Sequence, residues 1–106
     1  MLEIDFEKIG QRIREVRISK GLTQAYVAAY AGVNTSHISN IENNRVKVSL
    51  TLLVNISNAM DISVDYLLSD EYIKPENALD HSLFVEIQKC SPAMKERLFK
   101  IILALQ

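Results

Sequence analysis

Residues 23–39 read TQAYVAAYAGVNTSHIS, and this stretch governs the reading of the whole chain. It opens as an amphipathic helix, halts at Gly32, and restarts on a run of short polar residues. Asn, Thr, Ser and His are mediocre helix formers, so a helix built from them was filled for some reason other than propensity. With Gln24 counted as first, Ala28 is fifth, Gly32 ninth, Val33 tenth, Ile38 fifteenth and Ile41 eighteenth. Ala28 is small where a following helix would cross, at the ~90–120° usual for two helices joined by a tight turn. Gly32 can adopt the left-handed backbone that ends one helix and launches the next. Ile38 and Ile41 share one helical face and can bury the following helix against its neighbours. The spacing predicts two short helices locked together at a turn.

Outward from that pair, the chain reads as helical almost throughout. Three glycines and two prolines punctuate it, and no segment alternates long enough to suggest a strand. Asp5 can cap a first helix in which Phe6, Ile9, Ile13 and Val16 recur at helical spacing, ended by Gly21. Thr23 caps the second helix and Asn34 the third. Ser49 caps a fourth with Leu52, Leu53, Ile56 and Met60, and Ser63 a short fifth with Leu67 and Leu68. Hydrophobic periodicity then lapses around Pro75. The expected organisation is a five-helix domain over residues 1–69, a linker over 70–77, and a C-terminal two-helix element over 78–106.

Composition fits that size. The chain has 106 residues, 48% hydrophobic and 24% charged, with a formal net charge of −1; it is the size of one domain with an appendage. The start lacks a basic region followed by an apolar run, so no secretory signal is expected. No apolar stretch approaches the ~20 residues of a membrane span. Cys90 is the only cysteine, which excludes an intramolecular disulfide and suits a reducing cytoplasm.

Residues 9–68 closely resemble the Cro-like phage-repressor family of DNA-binding domains, also called the xenobiotic-response-element family. The resemblance is carried by IGQRIREVR, GLTQ, VAAYAGV, SHISNIEN and SLTLLVNISNAMDISVDYLL. It implies an all-α, lambda-repressor-like fold, a helix-turn-helix whose third helix enters the major groove of double-stranded DNA, and a regulator of transcription, more often a repressor. Asn44 stands where the family usually has glycine, and Val48 replaces a common proline. Asn tolerates the left-handed conformation best after glycine, so the turn is expected to survive.

This resemblance accounts for the opening stretch. At about 100° per residue, an inward direction between Ile38 and Ile41 turns Ser36, Ser39, Asn40 and Asn43 outward and leaves Thr35 at the side. An ordinary solvated face would carry Lys, Glu and Gln, and none occurs between Asn34 and Ile41. Asn can bond adenine N6 and N7 together, and Ser and Thr can reach several base edges. Thr35, Ser36, Ser39 and Asn40 are therefore the candidate base readers. Gln24 heads the second helix, where backbone N–H groups and a side-chain amide can grip a phosphate, as the resemblance also implies. Asn43, Arg45 and Lys47 near the end of the third helix, with Arg12 on the first, complete the candidate phosphate set. The resemblance further implies that Arg17 and Glu42 form an ion pair tying the first helix to the third.

Charge tempers the reading. Residues 1–69 hold seven Lys/Arg and seven Asp/Glu, whereas many DNA-binding domains are clearly basic. Between Lys8 and Lys20, however, five basic residues accompany only Glu15, so a local basic patch is expected. Enzyme chemistry has no support: His37, His81 and Cys90 lack zinc-ligand spacing, and there is no phosphate-binding glycine loop. Neither metal nor cofactor is expected. Tyr26 and Tyr30 read as packing residues, with a phosphate contact by the Tyr26 hydroxyl also open.

The C-terminal element carries Leu79, Leu83, Phe84, Ile87 and Cys90 on one helical stripe. Ser91 and Pro92 then give a strong helix start, followed by Met94, Leu98, Ile101, Ile102 and Leu105 on one broad face, with Phe99 and Leu103 beside it. That much apolar surface suggests a homodimer, with Leu83, Ile87, Leu98, Phe99, Ile102 and Leu105 as the candidate interface. A two-fold dimer would select a near-palindromic operator. The alternative is a protein-interaction module of the same fold, an antitoxin-like partner with little DNA affinity. Fold alone does not separate the two.

Overall fold

A computed structural model of the chain describes residues 3–71 and 78–106. Among the described residues the regular structure is seven α-helices and one 3₁₀ turn: α1 Phe6–Ser19, α2 Gln24–Ala31, α3 Thr35–Glu42, α4 Leu50–Met60, α5 Val64–Leu67, the 3₁₀ turn Ser69–Glu71, α6 Ala78–Gln88 and α7 Pro92–Ala104. The all-α expectation holds. No helix among the described residues is long and apolar enough to cross a membrane.

Each expected N-cap is made by its own side chain. The Asp5 carboxylate accepts from the Lys8 N–H, Thr23 from Tyr26, Asn34 from His37, Ser49 from Leu52, Ser63 from Tyr66 and Ser91 from Met94. These bonds satisfy amide donors that the first helical turn leaves without partners. At the other end, α1 to α4 each close on a left-handed residue: Gly21, Gly32, Asn44 and Asp61, with φ of 68°, 76°, 57° and 54°. In every case the next residue's N–H returns to a carbonyl five positions back: Leu22 to Arg17, Val33 to Ala28, Arg45 to Asn40 and Ile62 to Ser57. This is the Schellman arrangement. Asn44 thus does occupy the left-handed position, while Asp61 was not anticipated.

The core of the first unit joins α1 through α5. Ile13, Val27, Ile38 and Ile56 are fully buried, and Ile9, Ile41, Leu53, Met60 and Leu67 nearly so. Each such side chain contributes roughly 1.5–3 kcal/mol relative to exposure. Gly10 marks where α1 meets α3: a Cβ built there would lie 2.3 Å from the carbonyl oxygen of Ile41. The Lys20 ammonium closes the far end of α4, donating to the carbonyls of Met60 (2.6 Å) and Asp61 (3.2 Å).

The chain divides into two compact units, with the break after residue 72. Of the expected linker 70–77, residues 72–77 lie outside the described residues. Asp70 and Glu71 instead belong to the first unit: Asp70 pairs with Arg12, and the Asp5 N–H donates to Glu71 Oε1 at 3.1 Å. In the second unit, α7 has no buried residue.

Candidate nucleic-acid interface

The α2–turn–α3 segment starts from its backbone. Gly32 turns the chain so that Asn34 can cap α3 immediately, leaving only Gly32, Val33 and Asn34 between two eight-residue helices. Ala28 on α2 and Ile38 and Ile41 on α3 are buried. With that face turned inward, Thr35, Ser36 and Asn43 are exposed, and Ser39 and Asn40 half-buried. All four expected base readers therefore keep solvent access on one short helix.

Beneath them lies a polar frame centred on one buried carboxylate. Arg17 Nε is 2.7 Å from Glu42 Oε2 and Arg17 Nη2 is 3.0 Å from Glu42 Oε1. The Glu42 side chain is fully buried and that of Arg17 is 11% exposed. Arg17 Nη1 also donates to the Leu22 carbonyl at 2.9 Å, and Gln24 Nε2 to Glu42 Oε1 at 3.1 Å. One carboxylate thus binds α1, α2 and α3 together. Gln24 was expected on phosphate alone; the structure adds this inward bond. An amide nitrogen has two protons, so one remains for an external acceptor.

Two members of the expected phosphate set have partners within the chain instead of standing free. Arg12 donates to the Tyr66 carbonyl at 3.1 Å, to the Ser69 hydroxyl and to Asp70, and stacks 5.5 Å from the Tyr66 ring centroid. Asn43 folds back, its Nδ2 donating to the Ser39 carbonyl (2.9 Å) and hydroxyl (3.3 Å). Arg12 directs three of its five N–H groups, and Asn43 both of its amide protons, to partners within the chain. Arg12 and Arg17 are each paired with a carboxylate, so the basic patch expected on the first helix falls to Lys8, Arg14 and Lys20, the last keeping its charge while it donates to two carbonyls. Arg45 and Lys47 remain exposed beyond α3, with the Lys47 ammonium 5.4 Å from the Phe6 ring centroid. Tyr26 and Tyr30, expected to pack, stand 50% and 60% exposed.

Asn44 supports a direct test. Asn44→Gly is expected to melt at or slightly above the parent temperature, because glycine has no Cβ to strain. Asn44→Val should cost about 1–2 kcal/mol, since a β-branched side chain opposes φ near 57°. Thermal melting of the three proteins separates these outcomes, and an unaffected Val variant would contradict the left-handed turn.

Two capped helices joined by a left-handed turn, with a short polar face on the second, form a helix-turn-helix. A helix-turn-helix family model matches residues 13–67. The transcriptional regulator SinR of Bacillus subtilis is 37% identical over 82 residues, covering 76% of this chain and 71% of that protein. The immunity repressor of Bacillus phage phi105 is 35% identical over 71 residues; the match takes in 66% of this chain and only 49% of the repressor's length. Among solved structures, the restriction-modification controller protein C.AhdI from Aeromonas hydrophila superposes with a TM-score of 0.58 at 35% identity, covering 61% of this chain and 98% of that one. The chain belongs to the Cro-like, xenobiotic-response-element family of helix-turn-helix transcription regulators.

Proposed function

We propose that the protein is a sequence-specific regulator of transcription, acting as a repressor, that reads the major groove with α3 as a homodimer. The exposed face of α3 carries the argument. Thr35, Ser36, Ser39 and Asn40 are all capable of base contact and sit on a helix held by the Arg17–Glu42–Gln24 frame. A rigid mount of this kind presents short side chains to a partner with little further ordering cost. Gln24, Arg45 and Lys47 supply phosphate contacts that set register but carry no sequence information.

The roles are separable in a binding titration. Asn40→Ala should weaken binding to the selected operator by roughly 1–3 kcal/mol and relax preference at one base pair. Arg45→Ala should weaken binding to every sequence and reduce the salt dependence by about one counterion. Equal losses on operator and random DNA for both variants would refute the assignment.

The homodimer is supported by the second unit. Phe99 is 61%, Ile102 46%, Leu105 80% and Leu83 54% exposed, with Ile87 and Leu98 half-buried. An apolar surface of this extent usually marks an interface. A two-fold pair would set two copies of α3 about 34 Å apart on a near-palindromic operator. Pairing also raises avidity for a domain without a strongly basic surface. Phe99→Glu with Ile102→Glu in the full chain should raise the dimer dissociation constant by more than tenfold, given ~1.5–3 kcal/mol per buried large apolar side chain. Sedimentation at micromolar concentration measures this, and an unchanged association state would exclude α7 from the interface.

A further inference from the structure

The hydroxyl groups on α3 differ in what their neighbours leave them to offer. Asn34 Oδ1 accepts the His37 N–H at 2.9 Å and lies 2.8 Å from Ser36 Oγ. A backbone N–H can only donate, so the Asn34 atom facing it is the amide oxygen, and the hydroxyl of Ser36 must donate to that oxygen. Its single proton is spent. Asn43 gives the opposite result. Its Nδ2 faces the Ser39 carbonyl at 2.9 Å, an atom that can only accept, and the same nitrogen donates to Ser39 Oγ at 3.3 Å. Ser39 keeps its proton.

In free solution water could replace either bond. Inside a groove that has shed its water, reversal is costly: freeing the Ser36 proton would leave two acceptor oxygens 2.8 Å apart with no proton between them. Accepting from Asn43 also polarises the Ser39 hydroxyl toward donation. We infer that α3 is preset for hydroxyl readout of opposite polarity, with Ser36 able only to accept from a base and Ser39 poised to donate to one. Major-groove donors are the exocyclic amines of adenine and cytosine, while guanine and thymine present acceptors. Ser36 therefore selects adenine or cytosine, and Ser39 guanine or thymine. Asn43 acts as a positioning residue, through Ser39. This inference rests on the reading that α3 occupies the major groove.

The test is selection from a randomised DNA pool by the full-length protein and by Ser36→Ala, Asn43→Ala and Asn43→Asp variants. In the parent motif, one position should favour adenine or cytosine, and Ser36→Ala should flatten that preference about fivefold or more. A second position should favour guanine or thymine. Asn43→Ala should weaken that second preference. Asn43→Asp should weaken it at least as much, because a carboxylate oxygen cannot take the place of Nδ2 2.9 Å from the Ser39 carbonyl and has no proton to give Ser39 Oγ. The added charge lowers affinity for all sequences, but preference within a pool is a ratio and does not register it. Asn43 is exposed and caps a helix end, so these variants are expected to fold. A check that needs no variant replaces the selected adenine by unsubstituted purine, which lacks the 6-amino group and should cost the parent what Ser36→Ala costs on the natural base. A Ser36 position that selects guanine or thymine, or a Ser39 position indifferent to Asn43→Asp, overturns the polarity assignment. A parent protein that selects no motif overturns the groove reading and this inference with it.

Discussion

Glu42→Ala is expected to destabilise the first unit by about 3–5 kcal/mol. The Glu42 side chain is fully buried and accepts from Arg17 twice and from Gln24 once. Removing it leaves a guanidinium only 11% exposed with the Leu22 carbonyl as its remaining acceptor. The uncompensated charge, more than the lost attraction, sets the magnitude. Against a typical total stability of 5–15 kcal/mol, the loss is large enough to lower the melting temperature by well over ten degrees. Arg17→Met combined with Glu42→Leu should be far milder, within about 1 kcal/mol of the parent or above it, because both charges leave together. Denaturant titration of the single and double variants gives the coupling. A double variant no better than Glu42→Ala would show that the pair is not what the site depends on.

Gly10→Ala is the second large effect. Alanine in mid-helix ordinarily gains roughly 0.5–1 kcal/mol over glycine, so local propensity predicts stabilisation. Packing predicts the reverse. The added Cβ would lie 2.3 Å from the Ile41 carbonyl oxygen and 3.2 Å from its carbon, and both are backbone atoms of α3 with no rotamer to change. Helices α1 and α3 must separate, and overpacking of that kind costs about 1–3 kcal/mol or more. A net loss of about 2 kcal/mol is expected by denaturant titration. DNA affinity should fall as well, because the displaced element is the one that carries Ser36 and Asn40. A Gly10→Ala protein as stable as the parent would exclude so close an approach.

These two sites mark the limit of what one sequence discloses. The six N-caps were legible because a cap is a bond between residues three apart. Gly21 and Gly32 were legible because left-handed backbone favours glycine, and Asn44 because asparagine comes next. Asp61 was not, since aspartate serves equally as a solvated side chain. Gly10 looked like any mid-helix residue: the reason for it lies on α3, 31 positions onward. The partners of Arg12 were hidden for the same cause. An arginine among basic neighbours reads as a phosphate contact, and nothing local shows that Asp70, 58 positions away, receives it. Asn43 was correctly turned outward, but helical geometry fixes the direction of Cβ and not whether the amide then folds back onto Ser39. The outward face of α3 was legible as a set, whereas the hydrogen-bonding state of each member depended on neighbours.

The paired closures of the first four helices bear on how fast the domain assembles. Each of these helices begins on a side chain three residues from the amide it binds and ends on a bond spanning five. Their boundaries are thus encoded in contacts that a fluctuating chain samples within microseconds, long before distant segments meet. Helical domains of such local topology fold in microseconds to milliseconds. Within that scheme the Arg17–Glu42 pair, 25 positions apart, must wait for α1, α2 and α3 to dock. A pair formed only on docking is expected to govern how long the folded domain lasts more than how soon it forms.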